Sequence, residues 1–342
     1  MQDTDNFSLV VHVGMGKTGS SSIQKTLSIA MPELLEQKVL YAGLNFEFSG
    51  FKKFTWQKAG GWPELYGKEQ ASFAKELKEV LLNTIRDSRA KGINKVVWSN
   101  ESLFVEYHRI AEILKQVKTE ENINIKIIIY IRRHDLWAKS AYVQWGIKHK
   151  TYPGQLQPFK EWITQGRLSF AAHTQSWVNN FTDCELVNFD KSSNIVHTFF
   201  ERAGINDSAI QEQKDNESPS MAALAIWAMH NDTHAGQVLP YPLENIIKRA
   251  GFLQKEPRNV NLANFLPTQT DLAAIREMVQ EDREKVNQLL EANGQELLDD
   301  NPESIKLKTV DHWQIHSALL MLILSQQKQI NDLQSRLENL EN

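Results

Sequence analysis

The chain has 342 residues, 38 Lys and Arg against 42 Asp and Glu, and a formal net charge of −4. That length buries a full core in one large domain or in a domain with an appendage, and the negative balance argues against a general nucleic-acid binder, so any basic site is local. Its one cysteine, Cys184, excludes an internal disulfide and a second thiol at a metal site, and this usage fits a reducing, cytoplasmic compartment.

Polar residues 2–6 lead directly into an apolar run at 9–13, with no basic region and apolar core ahead of a cleavage site, so no leader peptide is expected. The most apolar stretch, 318–324, is far shorter than the roughly 20 residues a membrane-spanning helix needs. Residues 9–13 read as a first strand, 22–30 as a helix and 39–41 as a second strand. Helical spacing follows through Phe73, Leu77, Leu81 and Ile85, with charges on the opposite face.

The runs 95–99 and 125–131 are β-branched and continuous, as in strands buried on both faces. Residues 186–189 form a shorter candidate. Strands separated by helices predict parallel βαβ units, hence an α/β fold with a P-loop-like central parallel sheet flanked by helices. Ligands of such sheets sit at the carboxyl ends of the strands. The residues after Val13, Trp98 and Ile131 are therefore the ones to read for chemistry.

Beyond Gly204 the strand signal fades, and 221–230, 242–250, 271–291 and 313–340 read as helices, with a break near 299–302. The expected organisation is one domain over 1–300, with an α/β core at about 8–205 and a helical part at 206–300. A C-terminal helical extension at 305–342 follows. It carries a heptad-like seam, Leu319, Ile323, Ile330, Leu333, Leu337 and Leu340, interrupted by Gln326. Such a seam suits either a short coiled coil that makes a homo-oligomer through 315–340, or a terminal helix packed on its own domain.

After the first strand comes Gly14-Met15-Gly16-Lys17-Thr18-Gly19-Ser20-Ser21. Glycines let backbone N–H groups turn toward one point. The next helix start adds partial positive charge and Lys17 a full one. Ser20 and Ser21 supply hydroxyls. Each feature suits phosphate or sulfate. The Gly16-Lys17-Thr18 triplet imitates a nucleoside-triphosphate loop, but that motif needs a glycine where Val11 stands inside the strand. No aspartate ends the strand at Val97 either: Trp98, Ser99, Asn100 and Glu101 follow. A P-loop small-molecule kinase is the rival reading, and a non-catalytic coiled-coil assembly protein is another.

Lys17, one small residue, Gly19, then two hydroxyl-bearing residues resembles the 5′-phosphosulfate loop of the sulfotransferase superfamily. The family's second signature is an arginine ending a buried strand with a serine eight residues later, and Arg132 and Ser140 stand at that spacing. Arg133 competes for the arginine's place. The resemblance is closer to bacterial carbohydrate-type members, and covers about residues 9–300. Weaker matches lie at Phe189-Asp190, at 199–204 and at Asn216-Glu217-Ser218. The cytosolic group's tryptophan after the loop is Ser22 here, and its later Arg-Lys-Gly element is not recognisable.

The resemblance implies 3′-phosphoadenosine 5′-phosphosulfate as co-substrate, with no metal. It implies that Gly16, Lys17, Thr18, Gly19, Ser20 and Ser21 hold the 5′ side, and that Arg132 and Ser140 hold the 3′-phosphate. The leaving group is Lys17's to stabilise. Sulfuryl transfer also needs a base on the acceptor. Glu101 follows the strand 95–98, where polysaccharide sulfotransferases carry a glutamate base. It also stands where acids favour a helix start. His108 and His134 are rival bases. The expected acceptor is a carbohydrate. Between Gly43 and Tyr66, Phe46, Phe48, Phe51, Phe54, Trp56 and Trp62 accompany Lys52, Lys53 and Lys58. That loop suits sugar stacking, and equally a flap whose aromatics are core.

Overall fold

The computed structural model describes residues 7–213, 221–232, 234–239, 262–299 and 301, with scattered positions between 312 and 337. Five strands form the sheet: β1 (Ser8–His12), β2 (Val39–Gly43), β3 (Lys95–Ser99), β4 (Asn124–Ile131) and β5 (Cys184–Asn188). Their order is β2-β3-β1-β4-β5, and every pairing is parallel. The α/β class expected from the β-branched runs is observed, with an all-parallel central sheet flanked by helices.

Twelve described helices follow in chain order: α1 (Ser20–Ile29), α2 (Met31–Glu36), α3 (Trp62–Tyr66), α4 (Gln70–Ala90), α5 (Tyr107–Glu121), α6 (His134–Ala141), α7 (Phe159–Trp162), α8 (Phe170–Val178), α9 (Ile195–Ala203), α10 (Met221–Asp232), α11 (Gln269–Met278) and α12 (Gln280–Ala292). The expected helix at 271–291 is two helices, because the chain bends at Val279, which caps α12 with φ −110. The expected helix after Glu101 is likewise split, into a 3-10 turn (Glu101–Phe104) and α5. Pro242 to Ala250 and the Asn216-Glu217-Ser218 motif lie outside the described residues.

Alternate residues of each strand face opposite sides of the sheet. Val10, Tyr41, Val97, Ile128, Tyr130 and Val187 meet Ile23 and Leu27 of α1, Leu34 of α2 and Phe199 and Phe200 of α9 in one buried cluster. Helices α4, α5 and α8 contact strands of the same sheet, burying Phe73, Leu77, Leu114 and Trp177. Each fully buried Leu, Ile or Phe contributes about 1.5–3 kcal/mol of transfer free energy, so this double burial fixes the sheet that carries the site.

The chain divides into two compact units. The first takes its described residues from Met1–Trp137, Leu168–Glu217 and Glu277–Asp300, and holds the whole sheet. The second takes them from Ala138–Arg167, Ser218–Arg276 and Asn301–Asn342. In the second, the chain after α6 widens into a π turn (Tyr142–Lys148), where Tyr142 packs on Phe159 and Trp162. The ammonium of Lys150, a fully buried residue, donates to the carbonyls of Gly154, Asn231 and His234. No described helix is long and apolar enough to cross a membrane.

Candidate active site

The sheet order puts β1 between β3 and β4, so the segments leaving these three strands meet at one edge. Register places His12 opposite both Ser99 and Ile128. The loop after β1, Glu101 after β3 and Arg132 after β4 are therefore neighbours by topology. Tertiary hydrogen bonds join them in detail.

Three consecutive carbonyls of the loop are pinned, one from within the loop and two from outside it. Thr18 Oγ1 donates to the Met15 carbonyl at 2.6 Å, Trp137 Nε1 to that of Gly16 at 2.7 Å, and Arg132 Nη1 to that of Lys17 at 2.9 Å. In a trans peptide each N–H points opposite to the preceding C=O. Pinning these oxygens turns the N–H groups of Gly16, Lys17 and Thr18 to the other side of the loop. Anion-binding concavities are built from rows of donors of this kind.

The backbone pays for this shape in left-handed residues: Gly14, Lys17 and Gly19 have φ of 61, 71 and 77. For Lys17 that conformation is sterically costly, and it is held by the ties on either side. Gly19 also has no room for a side chain, since a Cβ there would lie 1.8 Å from Ile195 Cδ1. Gly19 caps α1, and no side chain caps that helix end. Ser20, Ser21 and Ser22 open the helix, with Ser20 and Ser22 buried. The Thr18 hydroxyl serves the loop itself, so what Thr18 offers an anion is its N–H.

Arg132 and Arg133 are separated by their partners. Arg133 is closed off: Nε and Nη2 grip Asp135 at 2.8 and 2.9 Å, and its side chain is 4% exposed. Arg132 keeps 20% exposure and lies 3.5 Å from Asp190 Oδ1. Its guanidinium sits over the Phe189 ring at 4.9 Å. Its Nε is buried and makes no hydrogen bond among the described residues. Burial lowers the pKa of Arg132, and the neighbouring Asp190 opposes that shift. Burial raises the pKa of Asp190, whose carboxylate accepts the Arg133 N–H at 2.7 Å. A cation with donor capacity left over, packed against the loop, is equipped to take an anion.

Glu101 stands against the loop's first turn: a Cβ on Gly14 would lie 2.9 Å from Glu101 Cβ. Gly14 is the residue that lets the two segments touch. The helix-start role belongs to Asn100, whose side chain accepts the Ser102 N–H at 3.0 Å. Gln24 of α1 donates to Glu101 Oε2 at 2.8 Å, and its amide lies 3.4 Å from Ser99 Oγ. Behind Ser99, Oγ bonds His12 Nδ1 at 2.8 Å. His12 is fully buried, and burial depresses its pKa to about 3, so the ring stays neutral. A carboxylate held on one oxygen by a neutral donor suits proton abstraction by the other.

The rival bases sit elsewhere. His134 is 2% exposed, bonded to Asp282 at 2.9 Å and stacked on Phe170. His108 is solvent-exposed on α5, 4.0 Å from Glu106. Cys184 is no nucleophile, since burial pushes its thiol up to about 12. Ser140 lies half-buried on α6 and falls in the second unit.

The aromatic loop is a flap with a core of its own. Phe46, Trp56 and Trp98 are fully buried, with rings in contact. Trp98 Nε1 and Asn100 Nδ2 both donate to the Leu44 carbonyl. Lys52 is tied to the Phe46 carbonyl and Lys53 to Glu79. A cavity of about 580 Å³ opens at the amino edge of the strands, by Ser8, Asn124 and Gly204. Its Lys95 is bonded to two carbonyls and its Lys126 to Glu185, and it lies across the sheet from this chemistry.

Sequence reading missed Trp137, Gln24 and Asp190 as parts of the site. Trp137 stands three residues before Ser140 and was within reach of the same motif. Gln24 is three residues beyond the loop, and nothing in the sequence aims it at Glu101. Together the fold and loop define an α/β protein that gathers a glycine-rich loop, a guanidinium and a carboxylate at the carboxyl edge of a parallel sheet. No family model and no curated protein matches the chain.

Proposed function

We propose that the chain is a sulfotransferase using 3′-phosphoadenosine 5′-phosphosulfate, on a P-loop-like sheet, with a carbohydrate hydroxyl as acceptor. The observation that carries this reading is the bond from Arg132 Nη1 to the Lys17 carbonyl. It joins the two stretches in which the family resemblance lies, 115 residues apart. A loop of inward N–H groups beside a guanidinium with unused donors fits a ligand with two anionic ends.

When bound, the nucleotide supplies the activated sulfuryl group. The residues Gly16 to Ser21 hold its 5′ side by backbone N–H groups and serine hydroxyls. Lys17 brings positive charge to the side where the leaving phosphate gains its charge. Arg132 takes the 3′-phosphate, and Ser140 enters from its spacing to Arg132 alone. Glu101, steadied by Gln24, takes the proton of the acceptor hydroxyl.

The test is release of 3′,5′-adenosine bisphosphate in the presence of a glycan panel with labelled donor. Acceptor-dependent release that Lys17→Ala abolishes supports the reading. Magnesium-dependent ATP turnover with transfer of phosphate contradicts it.

A further inference from the structure

The described positions between 312 and 337 are helical, and they include an apolar stripe left in solvent. Leu319, Ile323, Ile330, Leu333 and Leu337 are between 37% and 62% exposed. Single exposed apolar residues are ordinary on a protein surface. A line of them at spacings of three and four, interrupted only at Gln326, is a surface that expects cover.

The pattern within the stripe selects the occupant. With Ile323 at position a of a heptad, Ile330 and Leu337 are the next a residues. Leu319, Gln326, Leu333 and Leu340 then fall at d. Isoleucine at a with leucine at d favours two parallel strands over trimers and tetramers. Gln326 is the one polar residue in the seam. In a parallel pair in register it meets its own copy, where two side-chain amides satisfy each other. Out of register it faces a leucine or isoleucine and loses its partner.

Charge points the same way. Arg336 falls at g, and Glu341 at the e position five residues later. That is the offset at which g of one strand meets e of its parallel partner, so the C-terminal end of the dimer gains two opposite-charge pairs. A lone helix of the length the sequence predicts for 319–340, about 33 Å, is marginal in water without a packed face.

We infer that the segment Leu319 to Leu340 is a parallel, in-register, two-stranded coiled coil with a second copy of this chain, and that Gln326 sets the register. The dimer does not depend on the sulfotransferase reading.

Sedimentation equilibrium of the full chain is expected to give twice the chain mass. The double variant Ile330→Glu/Leu333→Glu is expected to give the single mass, with the main melting transition unchanged because both side chains are exposed. Lys328→Gln, on the outer face, is expected to leave the dimer intact. Orientation is read in a Cys184→Ser background. Leu319→Cys and Leu333→Cys should each link to themselves on mild oxidation, because d positions of parallel strands face each other. A single-mass full chain, a trimer or tetramer, a dimer that survives the double variant, or a dimer in which one of the two cysteines fails to link would overturn the inference.

Discussion

Arg132 and Lys17 share a hydrogen bond in which the guanidinium holds the loop's carbonyl rather than the lysine's charge. This makes Arg132 both a ligand candidate and a brace for the loop. Its removal should cost affinity twice over, through the lost cation and through the relaxed left-handed turn at Lys17. Arg132→Ala is expected to weaken binding of 3′,5′-adenosine bisphosphate by at least about a hundredfold, the loss of two charge-assisted bonds. Arg132→Lys should recover little, since an ammonium lacks the planar fork that spans carbonyl and phosphate. Isothermal titration of the two variants checks both statements.

Trp137 supplies a single neutral bond to the Gly16 carbonyl. Trp137→Phe keeps an aromatic ring against Phe170 and deletes the N–H together with one of the two fused rings. A buried acceptor left unmet costs about 1–3 kcal/mol, and the part that falls on the loop should appear as roughly five- to fiftyfold weaker nucleotide binding. An unchanged affinity would mean that the loop keeps its shape without this tie.

Glu101 and Gln24 separate by what they change. Glu101→Gln is expected to lower transfer to an acceptor by about a hundredfold or more, the usual reach of general-base catalysis, with nucleotide binding intact. Gln24→Met leaves the carboxylate present but unsteadied. It should lower kcat by about tenfold, with little effect on KM for the nucleotide, and Gln24→Glu should be worse through like-charge repulsion. An active Glu101→Gln enzyme removes Glu101 as base.

His12 ties stability to pH. Unfolded, its imidazole takes a proton below about 6.5, whereas burial holds the folded pKa near 3. Below 6.5 the unfolded chain therefore binds the extra proton, so this contribution is fully present above about 6.5 and is lost as pH falls toward 3. Urea unfolding at pH 7.5 and pH 5 should show a smaller acid loss for His12→Gln than for the native chain. Equal losses would place the acid sensitivity on other groups.

The sheet was legible because its strands are buried on both faces, and Ile125 to Ile131 leaves no polar residue but Lys126 and Tyr130 to blur the signal. Helix ends were less legible. Val279 continues an apolar spacing yet leaves the helical dihedrals, and an apolar pattern does not reveal such a break. The loop's glycines marked where the chain turns sharply, while two of the donors that shape the turn come from Trp137 and Arg132, over a hundred residues away. The choice between Arg132 and Arg133 needed the fold. Both follow the same strand, and Asp135 fills the Arg133 fork while Arg132 keeps a buried Nε without a hydrogen bond among the described residues. The aromatics of the 43–66 flap read equally as sugar platform and as core, and Trp98 beneath them makes Phe46 and Trp56 core.

The central claim is that one ligand with two separate phosphate ends spans the loop at Lys17 and the guanidinium of Arg132. Calorimetric titration with 3′,5′-adenosine bisphosphate, with 5′-adenosine monophosphate and with ATP plus magnesium tests it most directly. The account expects the bisphosphate to bind tightest without metal, and expects that advantage over the monophosphate to vanish in Arg132→Ala. Tighter binding of ATP with magnesium, or a bisphosphate preference that survives in Arg132→Ala, would contradict it.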